Sequence, residues 1–248
     1  MRLTYYFITV LIFLLVDFRP VFGQNEKSNN QKTEFKKIVP VAGASLVILG
    51  TSFFFDKTVE AELRRASFSR RHYVRLGDFT KSYYQLGIPL ITGGLSAVFK
   101  NRELGEVSFK AGVSAIAAFS LTSNAKNISG RVRPRRDLDP FDFRGLNFNK
   151  HTSFVSGHSS VAFALAAVYS RQYNHYKFLP PLLYTSASII AISRVAAGEH
   201  WLSDVTGGAA IGLTTGLLVN YVMEKNGISV FPRVTPQGQT QIGFQYLF

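Results

Sequence analysis

Two histidines, one aspartate and three cations fall in three short segments of this chain, and their types suit displacement at a phosphorus atom. His200 precedes Asp204 by four residues. On a helix the two would share a face, and the carboxylate could bond one ring nitrogen. That bond would fix the tautomer and leave the other nitrogen as a nucleophile. Ser156-Gly157-His158 stands directly before an apolar stretch. Free N–H groups at a helix start attract anions, and a glycine there lets a phosphate approach the backbone. His158 is then in position to protonate a leaving oxygen. Lys126, Arg133 and Arg194 add three positive charges. A phosphoryl group in transit spreads charge over three equatorial oxygens, and fixed cations, arginine's planar fork above all, stabilise that state.

Each segment alone has a plainer reading. Ser203 or Asp204 could cap a helix beside an incidental interfacial histidine, and Ser156 could be an ordinary cap. Lys and Arg at helix ends are often the positive flanks of membrane helices. That explanation suits Arg131, Arg135 and Arg136, but not Arg194, which follows an apolar run in register with His200. Glu199 would point away from His200 on a helix. His72, His151 and His175 have no carboxylate at helical spacing, so none receives a role.

In chain order the segments read Lys126-x6-Arg133-Pro134, Ser156-Gly157-His158 and Ser193-Arg194-x5-His200-x3-Asp204. This series resembles the type-2 phosphatidic acid phosphatase family, whose core is shared with vanadium haloperoxidases and bacterial class A acid phosphatases. All three spacings match. Val155 stands where the family usually has proline, a residue that shapes the turn and supplies no catalytic group. The resemblance implies an all-α bundle of about six helices, embedded in a membrane, and a metal-independent phosphatase. His200 would be the nucleophile, forming a phosphohistidine. His158 would be general acid and then base, and Asp204 would orient His200. Lys126, Arg133, Ser156, Gly157 and Arg194 would bind phosphate. Neither a metal nor another cofactor is implied.

The elements that must position these groups are apolar. The 248 residues are 46% hydrophobic and only 17% charged, below the roughly 25% of soluble domains. The net charge of +13 favours anionic partners. Basic residues are not interleaved with aromatics in a run, so nucleic acid is not an expected partner. With no cysteine, disulfides and thiol chemistry are excluded. Residues 1–23 have the layout of a secretory signal peptide, an uncleaved anchor being the alternative. A polar linker over 24–37 is expected, then a helical domain over 38–225 and a β-like tail over 226–248.

The helical domain holds six apolar stretches, Ile38–Phe55, Ser82–Phe99, Ala111–Ala125, Ser159–Ser170, Phe178–Ser193 and Val205–Met223. Against the ~17-residue lower limit for a bilayer, only the first, second and sixth are long enough. Gly207-Gly208-Ala209-Ala210 with Gly212 and Gly216 forms a small-residue face for close packing. The charged segment Asp56 to Lys81 has the period of an amphipathic surface helix. In the tail, Ile242, Phe244, Tyr246 and Phe248 alternate with polar residues or glycine, and Ile228–Val234 could pair with them across Thr235–Gly238 as a hairpin.

The leading expectation is a multi-pass envelope enzyme acting on lipid phosphates of phosphatidate, polyprenyl diphosphate or lipid A type, with its site facing the periplasm. A soluble periplasmic acid phosphatase is the alternative within the same chemistry, and a haloperoxidase would hold vanadate in the same pocket. From another class comes a non-catalytic lipid-phosphate binder or transporter, which would need the cations but neither both histidines nor Asp204. Crossings counted from an exported start, if all six stretches span, place the motifs inside rather than outside, so full spanning is the premise to test.

Overall fold

The computed structural model describes residues 31–65, 70–134, 138–146, 152–234 and 240–245. The leader over 1–23, Arg135, Arg136, Asn149, His151 and the hairpin turn lie outside the described residues. Among these residues the helices are α1 (Gln31–Arg65), α2 (Arg70–Phe79), α3 (Ser82–Val98), α4 (Arg102–Ser129), α5 (Gly157–Gln172), α6 (Leu179–Ala196) and α7 (Leu202–Lys225). They are followed by β1 (Ser229–Val234) and β2 (Thr240–Gln245). The expected all-α bundle is present. Its six main helices correspond to the six apolar stretches, while the charged segment expected as one amphipathic helix is divided between the end of α1, from Asp56 to Arg65, and the amphipathic α2. α1 already begins at Gln31, inside the polar stretch expected to be a linker.

α5 is the axis of the bundle, buried from Ser159 through Ser170. α7 approaches it closely because three glycines, each four residues from the next, face it. A Cβ on Gly208 would lie 2.4 Å from the Ser156 carbonyl oxygen, and one on Gly212 would lie 2.1 Å from that of Ser160. At Gly216 it would lie 2.7 Å from Ala167 Cβ. The small-residue face of the sequence is therefore the α5–α7 seam. Around α5, Phe163 packs with Tyr184, Leu213 and Leu217 on one side. Val161, Leu165 and Val168 meet Val107, Ala111 and Ala115 of α4 on the other.

Among the described residues, four helices are long and apolar enough to cross a membrane, over Ile38–Leu63, Arg102–Ser129, Leu179–Ala196 and Leu202–Lys225. This corrects the lengths expected from sequence. α4 extends the third stretch backward through charged turns, started by Asn101, whose Oδ1 accepts from Leu104 N at 3.0 Å. α6 carries the fifth stretch on through Arg194 to Ala196, and its first turn holds Pro180 and Pro181, prolines being well suited to that position. α3, by contrast, stops at 17 residues, just before Lys100 takes a positive φ of 52°. Phe54, Leu90, Val98, Ile116 and Leu182 point outward and are more than half exposed. An apolar surface of this extent is what a bundle presents to lipid.

The two ends of the bundle differ. One gathers the chain before α3, the ends of α4 and α6 and the starts of α5 and α7. The other carries the tail, where β1 and β2 pair antiparallel from Ser229↔Gln245 to Val234↔Thr240, as the alternation implied. Arg102, at the start of α4, holds the hairpin there. Its guanidinium stacks 4.0 Å from the Phe231 ring and donates to Gln245 Oε1 at 2.5 Å.

Candidate active site

All three motifs meet at the first of these ends. Asp204 lies in the first turn of α7 and is fully buried. Its Oδ2 accepts from the Trp201 backbone N–H at 2.8 Å and also from the Ser153 hydroxyl. The same oxygen lies 3.4 Å from His200 Nδ1, which has no other hydrogen-bond partner among the described residues. The two residues do not share a helix face, as their spacing implied. His200 precedes the helix, whose N-cap is Trp201, and Asp204 reaches back from the third helical position. Neither Ser203 nor Asp204 is the cap itself.

Arg131 is a further correction. It is not a flanking charge at a helix end but is wholly buried, just after the left-handed Gly130 that ends α4. Its Nη1 donates to Asp204 Oδ1 at 2.6 Å and to Ser203 Oγ at 2.6 Å, and its Nη2 to Asp56 Oδ2 at 2.7 Å. Nε donates to the Pro140 carbonyl at 2.7 Å. The rings of Phe53 and Phe143 face the guanidinium at 4.9 and 5.1 Å. Asp56, from α1, also accepts from the Ser203 N–H at 2.8 Å, satisfying a free donor at the start of α7. The carboxylate that faces His200 is thus gripped by a buried Asp56–Arg131–Asp204 chain.

The cations surround the histidines. Lys126 reaches from the last turn of α4 to the carbonyls of Thr152 and Ser153, at 3.4 and 3.3 Å. Arg133 donates to the Glu199 backbone carbonyl at 3.4 Å and pairs with the Glu199 carboxylate. Glu199 was expected to face away. It lies instead in the turn between α6 and α7, beside Gly198 at φ 65°, and points into the site. Arg194 ends α6 and is 8% exposed, yet its Nε and Nη1 have no hydrogen-bond partner among the described residues. A buried guanidinium with spare donors is set for an anion.

Ser156 caps α5, its hydroxyl accepting from Ser159 N at 3.5 Å, and its own N–H donates to the Asp204 carbonyl at 2.9 Å. Gly157 serves packing too, since a Cβ there would lie 3.2 Å from Ser82 Oγ. His158 Nε2 lies 3.2 Å from the Gly77 carbonyl, to which it can donate. Burial first, then the charge of Arg194, brings the His158 imidazole down to about 3, with Lys126 and Arg133 adding to the effect and the Gly77 bond opposing it. Burial and the Lys126 charge hold His200 well below the ordinary imidazole range, against the opposing contact with Asp204. Both shifts favour the neutral imidazole, which is the state His200 requires as a nucleophile. His72 and His175 are exposed.

Residues 108–228 match the PAP2 superfamily model. Among curated proteins, a lipid A 1-phosphatase of Porphyromonas gingivalis is 37% identical over 73 residues, covering 29% of this chain and 16% of that protein. Phosphatidylglycerophosphatase B of Bacillus subtilis is 37% identical over 105 residues, covering 38% of this chain and 47% of that one. The matches thus span less than half the length of these relatives. Among solved structures, a transmembrane PAP2-type phosphatidylglycerolphosphate phosphatase from Bacillus subtilis superposes with a TM-score of 0.49 at 23% identity, covering 79% of this chain and 96% of that one. The matched segment, just under half of the chain, includes all three motifs, and over it the chain is similar to the PAP2 superfamily.

Proposed function

We propose that this chain is a membrane-embedded phosphatase that removes phosphate from lipid phosphate esters or diphosphates, with His200 as nucleophile. One observation carries the reading. A buried, neutral imidazole has its Nδ1 side against a fixed carboxylate, and unpartnered donors of Arg194 stand in the same cluster of cations. In the first step the phosphate's negative charge offsets the cations around His158 and lets that ring carry a second proton, on Nδ1. His200 Nε2 then attacks phosphorus as the P–O bond to the leaving group breaks, and His158 gives the Nδ1 proton to the departing oxygen. In the second, His158 accepts a proton from water, the water oxygen attacks phosphorus, and the P–N bond breaks to release phosphate. Lys126, Arg133 and Arg194 stabilise the charge on the equatorial oxygens in both steps.

The apolar outer surface favours a lipid substrate, as do the names of the relatives, a lipid A 1-phosphatase and a phosphatidylglycerophosphatase. The test is phosphate release in detergent and chelator from phosphatidate, phosphatidylglycerophosphate, polyprenyl diphosphate, lipid A and a small aryl phosphate. The lipids should be turned over in preference to the aryl ester. An acid-labile phosphoenzyme should form in the wild type and not in His200→Ala. Turnover by His200→Ala at the wild-type rate would overturn the mechanism, and preference for the aryl ester would favour the soluble acid phosphatase reading.

The site is further proposed to face the periplasm. α1 runs toward the site end, so this orientation requires the Gln31 end of α1 to lie on the cytoplasmic side. Asn149→Cys, between the first two motifs, should then react with an impermeant thiol reagent in intact cells. Protection there would place the site inside.

A further inference from the structure

The surface helix α2 lies before the matched family segment, and none of the three motifs includes it. Its residue Gly77 is nevertheless buried and touches two site residues at once. The Gly77 carbonyl lies 3.2 Å from His158 Nε2. On its other side the guanidinium of Arg194 occupies the space a side chain would fill. A Cβ at Gly77 would lie 1.2 Å from Arg194 Nη1 and 2.4 Å from its Cζ. The φ of Gly77 is not in the left-handed region, so close approach, rather than backbone freedom, is what requires a glycine there.

We propose that α2 is a wall of the phosphate site and that Gly77 is a positioning residue for Arg194 and His158. The carbonyl selects the His158 tautomer that carries hydrogen on Nε2, leaving Nδ1 as the nitrogen that exchanges protons during the reaction. The absent side chain lets the Arg194 guanidinium seat against the helix, with Nε and Nη1 unspent on protein acceptors and directed to the phosphoryl oxygens. The inference rests on the phosphatase reading above and adds to it a residue far from the motifs.

The test exploits where the clash falls. The atoms in the way belong to the tip of a flexible side chain, so Gly77→Ala displaces Arg194 without forcing the backbone apart. Alanine is also the better helix former, so α2 itself does not weaken. Gly77→Ala should lower kcat/KM at least tenfold and weaken inhibition by vanadate at least tenfold. The unfolding midpoint should hold or rise. Gly87→Ala in α3, where a Cβ meets nothing within 4 Å, serves as the control and should behave as wild type. The second measurement is a cycle with Arg194→Ala. Since Gly77 acts through that guanidinium, the double variant should be little worse than Arg194→Ala alone.

Wild-type kcat/KM and vanadate inhibition in Gly77→Ala, or the same penalty with and without Arg194, would overturn the proposal. Loss of activity with vanadate inhibition unchanged would also overturn it. These results are distinct from failure of the phosphatase reading itself, which shows as full activity in His200→Ala.

Discussion

Arg131 Nη1 and Asp204 Oδ1 lie 2.6 Å apart, with both side chains sealed from solvent. The other carboxylate oxygen faces His200, so the orientation of the nucleophile depends on an arginine that does not contact it. Removing that arginine would leave Asp56 and Asp204 buried without their counter-charge. Arg131→Ala should cost about 3–5 kcal/mol of stability, the range for breaking a buried ion pair from one side. Lysine is a poor replacement, because a single ammonium cannot reproduce a fork that meets two carboxylates. Where Arg131→Lys folds, kcat should fall with little change in KM, since the lost function is steering of His200 rather than substrate binding. Unfolding in detergent and steady-state kinetics on the same preparations check both outcomes.

His158 is assigned to both proton transfers, and its removal separates them. An aryl phosphate has a good leaving group that needs little help from an acid, whereas the water of the second step still needs a base. His158→Ala given an aryl phosphate should therefore accumulate the phosphohistidine and show a burst of released phenol. With an alkyl phosphate the same variant should show no burst. Rapid-quench phosphoenzyme counts on the two substrates decide the matter, and equal levels would remove His158 from the second step.

Histidines held neutral by burial also make stability depend on pH. His158 titrates near 3 in the folded protein against an ordinary value of 6.5, and His200 is displaced in the same direction. Between those values the unfolded chain takes up protons that the folded site refuses, so stability falls as pH falls below 6.5. The slope is up to about 1.4 kcal/mol per pH unit for each histidine. His158→Gln should flatten the loss of unfolding midpoint between pH 6.5 and 4, and an unchanged slope would contradict the assignment.

The sequence made the histidines, the motif cations and Asp204 legible because each sits at a helix end with fixed spacing to its neighbours. Asp56 was not legible, since it lies on α1, far along the chain from Arg131, and only the folded bundle brings them together. A signal existed: Asp56 directly follows the apolar stretch of α1, where an acid commonly faces a partner inside the bundle. Arg131 was misread because basic residues crowd that loop and their spacing does not say which of them turn inward. Glu199 was misread because a helix was assumed where Gly198 makes a turn. The His200–Asp204 contact is real but arises from capping geometry rather than from helical register. Span lengths were underestimated for α4 because hydropathy alone does not register Asn101 as a cap that starts the helix among charged residues.

The α5–α7 seam gives a test in which glycines differ by what surrounds them rather than by helix propensity. At Gly212 an added Cβ would meet the Ser160 carbonyl oxygen at 2.1 Å and the Ala164 nitrogen at 2.9 Å, both backbone atoms of a helix buried on every side. Neither can yield without moving α5, and α5 carries His158 at its start. Gly212→Ala should therefore destabilise by at least the ~1–3 kcal/mol typical of overpacking, and should lower activity although the residue lies outside the site. Gly50 on α1 faces outward with nothing within 4 Å. Gly50→Ala should stabilise by up to about 1 kcal/mol through helix propensity alone, with activity unchanged. Thermal unfolding of the two variants side by side reads the difference in sign. If both are destabilised alike, the seam is looser than the close approach of α5 and α7 requires.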